Sequence, residues 1–266
     1  MRWMSHSHPS RVSRQIDTSS IPSAGDGGQI AYNRRAPIGR YDMTGLWPAA
    51  FAVFAKDLRA EMRSRELLSM MGLFSVLCIL AFSFALELDR QTRDSVAGGV
   101  LWVTVTFAVM LGLNRSLGGE REQGSLDAML LSPMPRASIF LGKALSNFVF
   151  SSLIGLILLP LMTVLYNLPL AHPTIIAAVV LGSLALSAIG TLLAAIAVQA
   201  RSRDSLLPII MLPTALPVLL CAVRASNGMF SGQPESLWIG WLGLLAITAA
   251  GYLLMCGALF AYVIEE

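Results

Sequence analysis

Side chains able to do chemistry are few and scattered along this 266-residue chain. Its histidines are His6, His8 and His172, and its cysteines, Cys78, Cys221 and Cys256, all fall inside apolar runs. No CxxC, HExxH or GxSxG occurs, and the one Gly-Lys pair, Gly142-Lys143, is followed by Ala144 instead of the hydroxyl residue of a phosphate loop. His, Asp and Glu nowhere cluster at metal-ligand spacing. No Asp, Glu, Lys or Arg lies near the middle of an apolar run, which argues against a proton relay or an ion-coupling site. An intramembrane enzyme has no nucleophile–base pair to work with. If such a chain moves a solute uphill, the energy comes from a partner.

The elements that would carry these residues are set by composition. Hydrophobic residues make up 55% of the chain and charged ones 13%, against about 25% charged in ordinary soluble domains. With a mean hydropathy of +0.66, the expected class is an all-α polytopic membrane protein. Six runs are long enough for the roughly 20 helical residues a bilayer core requires: about 68–87, 96–114, 139–166, 174–198, 205–224 and 237–263. None alternates polar and apolar residues as a barrel strand would. The net charge of +3 marks topology, not nucleic-acid binding. With the N-terminus inside, 16 of the 19 Lys and Arg face the cytoplasm and only Arg90, Arg93 and Arg224 face out. An even number of spans returns the C-terminus to the same side.

The chain divides near residue 45. Residues 1–45 are rich in Ser and Gly, lack apolar periodicity and read as a disordered extension, with Met43 as an alternative start. Residues 46–266 form the expected six-span domain. At its head, Phe51, Ala55, Leu58 and Met62 recur on one helical face and Lys56, Arg59, Arg63 and Glu66 on another. That pattern predicts an interfacial helix lying among the headgroups.

Between the second and third spans runs a cytoplasmic segment, residues 118–135. Gly118 and Gly119 should break the second span, and Leu126, Met129 and Leu130 should form the apolar face of a short helix with Glu122 and Asp127 near its start. Pro133 and Pro135 should stop it. Such a helix under the membrane is either a docking surface for a cytoplasmic partner or an inert connector. In the fourth span, Ser183, Ser187, Thr191, Ala195 and Gln199 recur every fourth residue, a stripe suited to close helix packing or to lining a substrate path. Pro208, Pro213 and Pro217 should make the fifth span irregular. Asn114 and Asn147 are expected to satisfy helix ends, and Trp102, Trp238 and Trp241 to anchor at the interface.

The run EREQGSLDAMLLSPMPRASIFLGKALSNFVF, after the amphipathic KDLRAEMRSRELL, closely resembles the heme exporter protein B family, the ABC-2-type permeases of cytochrome c maturation. The resemblance covers about residues 50–263 and implies six spans with both ends cytoplasmic, in a bacterial inner membrane. It also implies a homodimeric permease that binds a separate cytoplasmic ABC ATPase and other cytochrome c maturation subunits. ATP would bind the partner alone, and heme would be the transported substrate rather than a resident cofactor. By this likeness Glu120, Arg121, Glu122, Gly124, Leu126, Asp127, Leu130, Ser132 and Pro133 lie at the ATPase interface, with Asp127 where glutamate is usual. The leader before Met43 has no counterpart in the family. Two alternatives stay open: a mechanical subunit that releases a heme chaperone without carrying heme, and an ABC-2-type exporter of another substrate. His172 is the candidate heme ligand, since axial ligation is by His, Met or Cys in the usual cases.

Overall fold

The computed structural model describes residues 45–85, 90–122, 124, 134–167, 173–199 and 203–263. Among these residues seven α-helices occur: α1 Leu46–Ser64, α2 Glu66–Ala85, α3 Arg90–Glu122, α4 Arg136–Tyr166, α5 Pro173–Gln199, α6 Arg203–Phe230 and α7 Glu235–Val263. Six of them, α2 to α7, are long and apolar enough to cross a membrane. The fold class agrees with the sequence reading. The extension before residue 45 lies outside the described residues.

The spans sort by burial. α3 and α5 are the central helices, while α2 and α7 keep most of their surface toward the surroundings. α2 shows why: its buried residues Leu67, Met71, Ser75 and Ile79 recur every fourth position, one narrow stripe against the bundle. Its remaining faces carry Leu73, Leu77 and Phe84 outward, as a span in lipid should. α5 packs against α3, α4, α6 and α7, so it is apolar nearly all round.

Two local expectations change. Gly118 and Gly119 do not end α3, which runs on to Glu122. A glycine costs a helix only about 1 kcal/mol relative to Ala, and the packing of α3 against α2, α4, α5 and α6 outweighs that. Nor do Pro208, Pro213 and Pro217 interrupt α6. Neighbouring side chains occupy backbone acceptors around them: the Thr214 hydroxyl donates to the carbonyls of Ile210 (2.9 Å) and Met211 (3.0 Å), and Tyr252 of α7 donates to the Thr214 carbonyl (2.7 Å). None of these is the Ile209 or Pro213 carbonyl that loses its donor at Pro213 or Pro217, so what offsets those losses is the packing of α6 against α3, α5 and α7.

The tryptophans also move. Trp102 is fully buried, its indole N–H donating to Ser226 Oγ at 2.9 Å. It packs on α5 at Gly182, where an added Cβ would lie 2.1 Å from Cη2. Trp238 is likewise buried and donates to the Gln233 carbonyl at 3.1 Å. Of the three, Trp241, 39% exposed, is the one placed to act as an interface anchor. Indoles buy burial area when a polar partner is within reach, and here the partner is protein instead of headgroup.

Candidate functional site, a charged ring at one end of the bundle

α1 lies across the end of the bundle where α2 begins, α3 ends and α4 begins, packing chiefly on α4. Its inward face is Ala49, Ala50, Val53, Asp57 and Glu61. The sequence reading gave the helix an apolar and a basic face and did not single out this third, small and acidic one. Phe51 and Met62 of the apolar face are 59% and 70% exposed and turn away from the protein with Trp47. The small residues turn inward because α4 meets α1 backbone to backbone: at Gly142 a Cβ would stand 2.6 Å from Val53 Cβ and 2.7 Å from the Ala50 carbonyl. No larger side chain at 142 fits that approach.

One turn along, this contact delivers two acids and a base into the protein. Lys143, the neighbour of Gly142, is 2% exposed. Its ammonium reaches Asp57 Oδ2 of α1 at 2.8 Å and Glu120 Oε2 of α3 at 2.6 Å. Lys56 pairs with the other oxygen of each acid, with Glu120 Oε1 and, at 3.3 Å, with Asp57 Oδ1. The four side chains thus close a ring in which cations and anions alternate and the charge sums to zero. Burial works to lower the Lys56 pKa, but the hydrogen bond and charge of Glu120, with the charge of Asp57, outweigh it and hold that ammonium above its ordinary value.

Beside the ring, Glu61 caps the start of α2. Its Oε1 accepts from Leu68 N at 2.8 Å and its Oε2 from Leu67 N at 3.3 Å, which satisfies two of the four orphan donors of a helix N-terminus. The chain turns between α1 and α2 at Arg65, which has φ 55 and donates its N–H to the Glu61 carbonyl at 2.7 Å. Glu66 in turn pairs with Arg115 of α3. Together these residues line an open cleft of about 430 Å³ bounded by α1, α2, α3 and α4, with Lys56, Glu61, Arg115, Glu120 and Lys143 on its walls.

The residues expected to form a partner interface therefore divide. Glu120, expected to face water or a partner, is 14% exposed and committed to Lys56 and Lys143. Arg121 and Glu122 are the last residues of α3. Gly124 lies just beyond with φ 66, a conformation glycine adopts without the Cβ clash of other residues. Leu126, Asp127, Leu130, Ser132 and Pro133, and with them the anticipated short helix, lie outside the described residues, as does His172. On α1, Arg59 and Arg63 are exposed and Leu58 is half-buried.

Asp57, Glu61 and Lys143 were not legible as site residues. Lys143 reads from the sequence as a topology marker, and Asp57 and Glu61 as ordinary members of an amphipathic helix. The available signal was spacing: Asp57 and Glu61 stand four apart, on the same face as Val53 and Ala50, and an apolar run beginning at Ile139 already encloses Lys143.

Further into the bundle the fourth-span stripe is a packing interface with polar contacts. Asn147 Nδ2 donates to Thr191 Oγ1 at 3.0 Å, and Ser151 and Ser187 share a hydrogen bond of 3.0 Å. Asn147 thus bridges two helices and does not cap one. Ser183 is fully buried, within 4.0 Å of where a Cβ at Gly155 would stand. Gln199 is the last residue of α5.

Residues 48–264 match the CcmB protein family, and the chain belongs to that family. Among characterised relatives it is similar to heme exporter protein B of Pseudomonas aeruginosa, with 29% identity over 77% of this chain and 94% of the relative. Heme exporter protein B of Paracoccus denitrificans is 30% identical over 75% of this chain and 91% of its own length. That of Rhodobacter capsulatus is 29% identical over 71% and 89%. With its six apolar helices, the chain is a multi-pass membrane protein.

Proposed function

We propose that this CcmB-family chain is the transmembrane permease subunit of an ABC-type heme exporter serving c-type cytochrome biogenesis. ATP hydrolysis belongs to a separate cytoplasmic subunit, and this chain does no catalysis of its own. It works as a homodimer alongside other cytochrome c maturation subunits in the bacterial inner membrane, with both ends in the cytoplasm. Heme is its substrate, carried or handed on, with no cofactor resident in the chain. Residues 1–45 are an extension outside the working domain.

The observation that supports this most directly is the charged ring. Residues 123–135 join α3 to α4, and Glu120 and Lys143 stand on either side of that segment in the sequence, both bound to Asp57 of α1 or to its neighbour Lys56. A force applied to the segment by a partner would reach the interfacial helix and both flanking spans at once. That is the mechanical requirement for an energy-coupled permease whose motor is another chain. In this reading Arg121, Glu122, Gly124, Leu126, Asp127, Leu130, Ser132 and Pro133 meet the ATPase, while Glu120 holds the base of the segment in place.

Leu126→Asp and Glu122→Lys test the reading, since neither residue is one of the four that make the ring. Each should release the ATPase subunit on purification and abolish c-type cytochrome assembly in cells, while the permease itself stays inserted. Like charge placed in an interface costs several kcal/mol, about a hundredfold or more in affinity. Normal co-purification and normal cytochrome levels in both variants would make the segment a mere connector.

A further inference from the structure

The ring does not end at the membrane surface. Lys143, Asn147 and Ser151 lie at intervals of four along α4 and so form one stripe, about 12 Å long at 1.5 Å per residue. Each is buried, and each reaches a polar group on a helix other than α4. Lys143 binds α1 and α3 through Asp57 and Glu120. Asn147 and Ser151 bind α5 through Thr191 and Ser187. The pairing is antiparallel and in register, so that Gly155 on α4 next meets Ser183 on α5.

We infer that this stripe of α4 is the element that carries a displacement of the interfacial helix and coupling segment into the bundle, with Asn147 and Thr191 as its positioning residues. The inference rests on the ATPase-coupled reading above and names the residues through which coupling enters the membrane. Three features favour it. The stripe is continuous from the charged cleft to the α4–α5 contact. Its members are hydrogen-bonding groups, whose partners can exchange in a discrete step, whereas an apolar contact only slides. And α5, which receives it, packs on α3, α6 and α7 as well, so a shift in its register reaches the rest of the bundle. Spatial continuity alone is not coupling; the test must read movement.

The complex of this chain with its ATPase subunit is prepared with Cys78, Cys221 and Cys256 replaced by Ala, and spin labels are placed at Val164 and Ile176. These positions are 80% and 47% exposed, near the far ends of α4 and α5 from the ring. With the stripe intact, the label separation should differ between ATP-bound and nucleotide-free complexes. In Asn147→Leu, Thr191→Val and the double variant, the ATPase subunit should stay bound and hydrolyse ATP, but the nucleotide-dependent difference should vanish. Cytochrome assembly should fall about three- to tenfold, the range one interhelical hydrogen bond supports, with the double variant no worse than either single one because both break the same bond. An unchanged label response in the variants overturns the inference, as does loss of the ATPase subunit from all three, which would make the stripe packing alone. A normal label response in a complex whose removal leaves cytochrome assembly intact would instead overturn the heme reading and leave the stripe standing.

Discussion

Replacing Lys143 by Met tests the physical core of the site. Methionine keeps the stem and fits the same space, so the change isolates the charge. Without the ammonium, Asp57 and Glu120 lose contacts of 2.8 and 2.6 Å and face each other across a site where they are 9% and 14% exposed. Breaking one partner out of a buried ion pair costs about 3–5 kcal/mol, most of it the uncompensated charge left behind. Lys56 still touches both acids and is 42% exposed, so part of that charge remains screened and the lower end, about 3 kcal/mol, is expected. The measurement is equilibrium unfolding of the purified protein in mixed micelles of increasing denaturing-detergent fraction. The triple variant Lys143→Met, Asp57→Asn, Glu120→Gln separates charge from shape. It removes the orphaned anions and should recover most of the loss, because the one charge it leaves in the ring, Lys56, is 42% exposed and can be solvated. Lys143→Met within about 1 kcal/mol of the parent, or no recovery in the triple variant, would refute the ring as a closed electrostatic unit.

Three further outcomes follow from the geometry. Single cysteines at Ser231 or Gln233, in the exposed turn between α6 and α7, should react with a membrane-impermeant thiol reagent from outside the cell, whereas cysteines at Ser125 or Ser202 should not; the reverse pattern overturns the orientation. Gly182→Ala should destabilise by about 1–3 kcal/mol through overpacking against Trp102, although glycine-to-alanine changes inside helices ordinarily stabilise; unfolding in mixed micelles reads the sign. Glu61→Ala should cost about 0.5–2 kcal/mol, the value of a helix cap, and hydrogen exchange should rise at Leu67 and Leu68, whose N–H groups it holds.

Much of this protein is readable before any fold is known. Six apolar runs, all but the third and fourth with Lys or Arg at or between their facing ends, require six helices, since lipid offers a backbone no other partner, and the spacing of residues 51–66 requires an amphipathic helix ahead of them. The run Glu120–Phe150, after the amphipathic residues 56–68, was enough to indicate the family. These properties are local: run length, charge placement and period are written in consecutive residues. What tertiary packing decided is how those helices face one another. Sequence spacing marked an apolar face at Phe51 and Met62 and a basic one at Lys56 and Arg59, but the close approach of α1 to Gly142 is what turns the small and acidic face in. Trp102 became core because Gly182, 80 positions away, leaves room for its ring. Asn147 became a bridge because Thr191 stands opposite it. Above all, Lys56, Asp57, Glu120 and Lys143 come from three helices and form no pattern along the chain. Each is a plausible solvated surface charge until burial strips its water away, and then only the others can replace it.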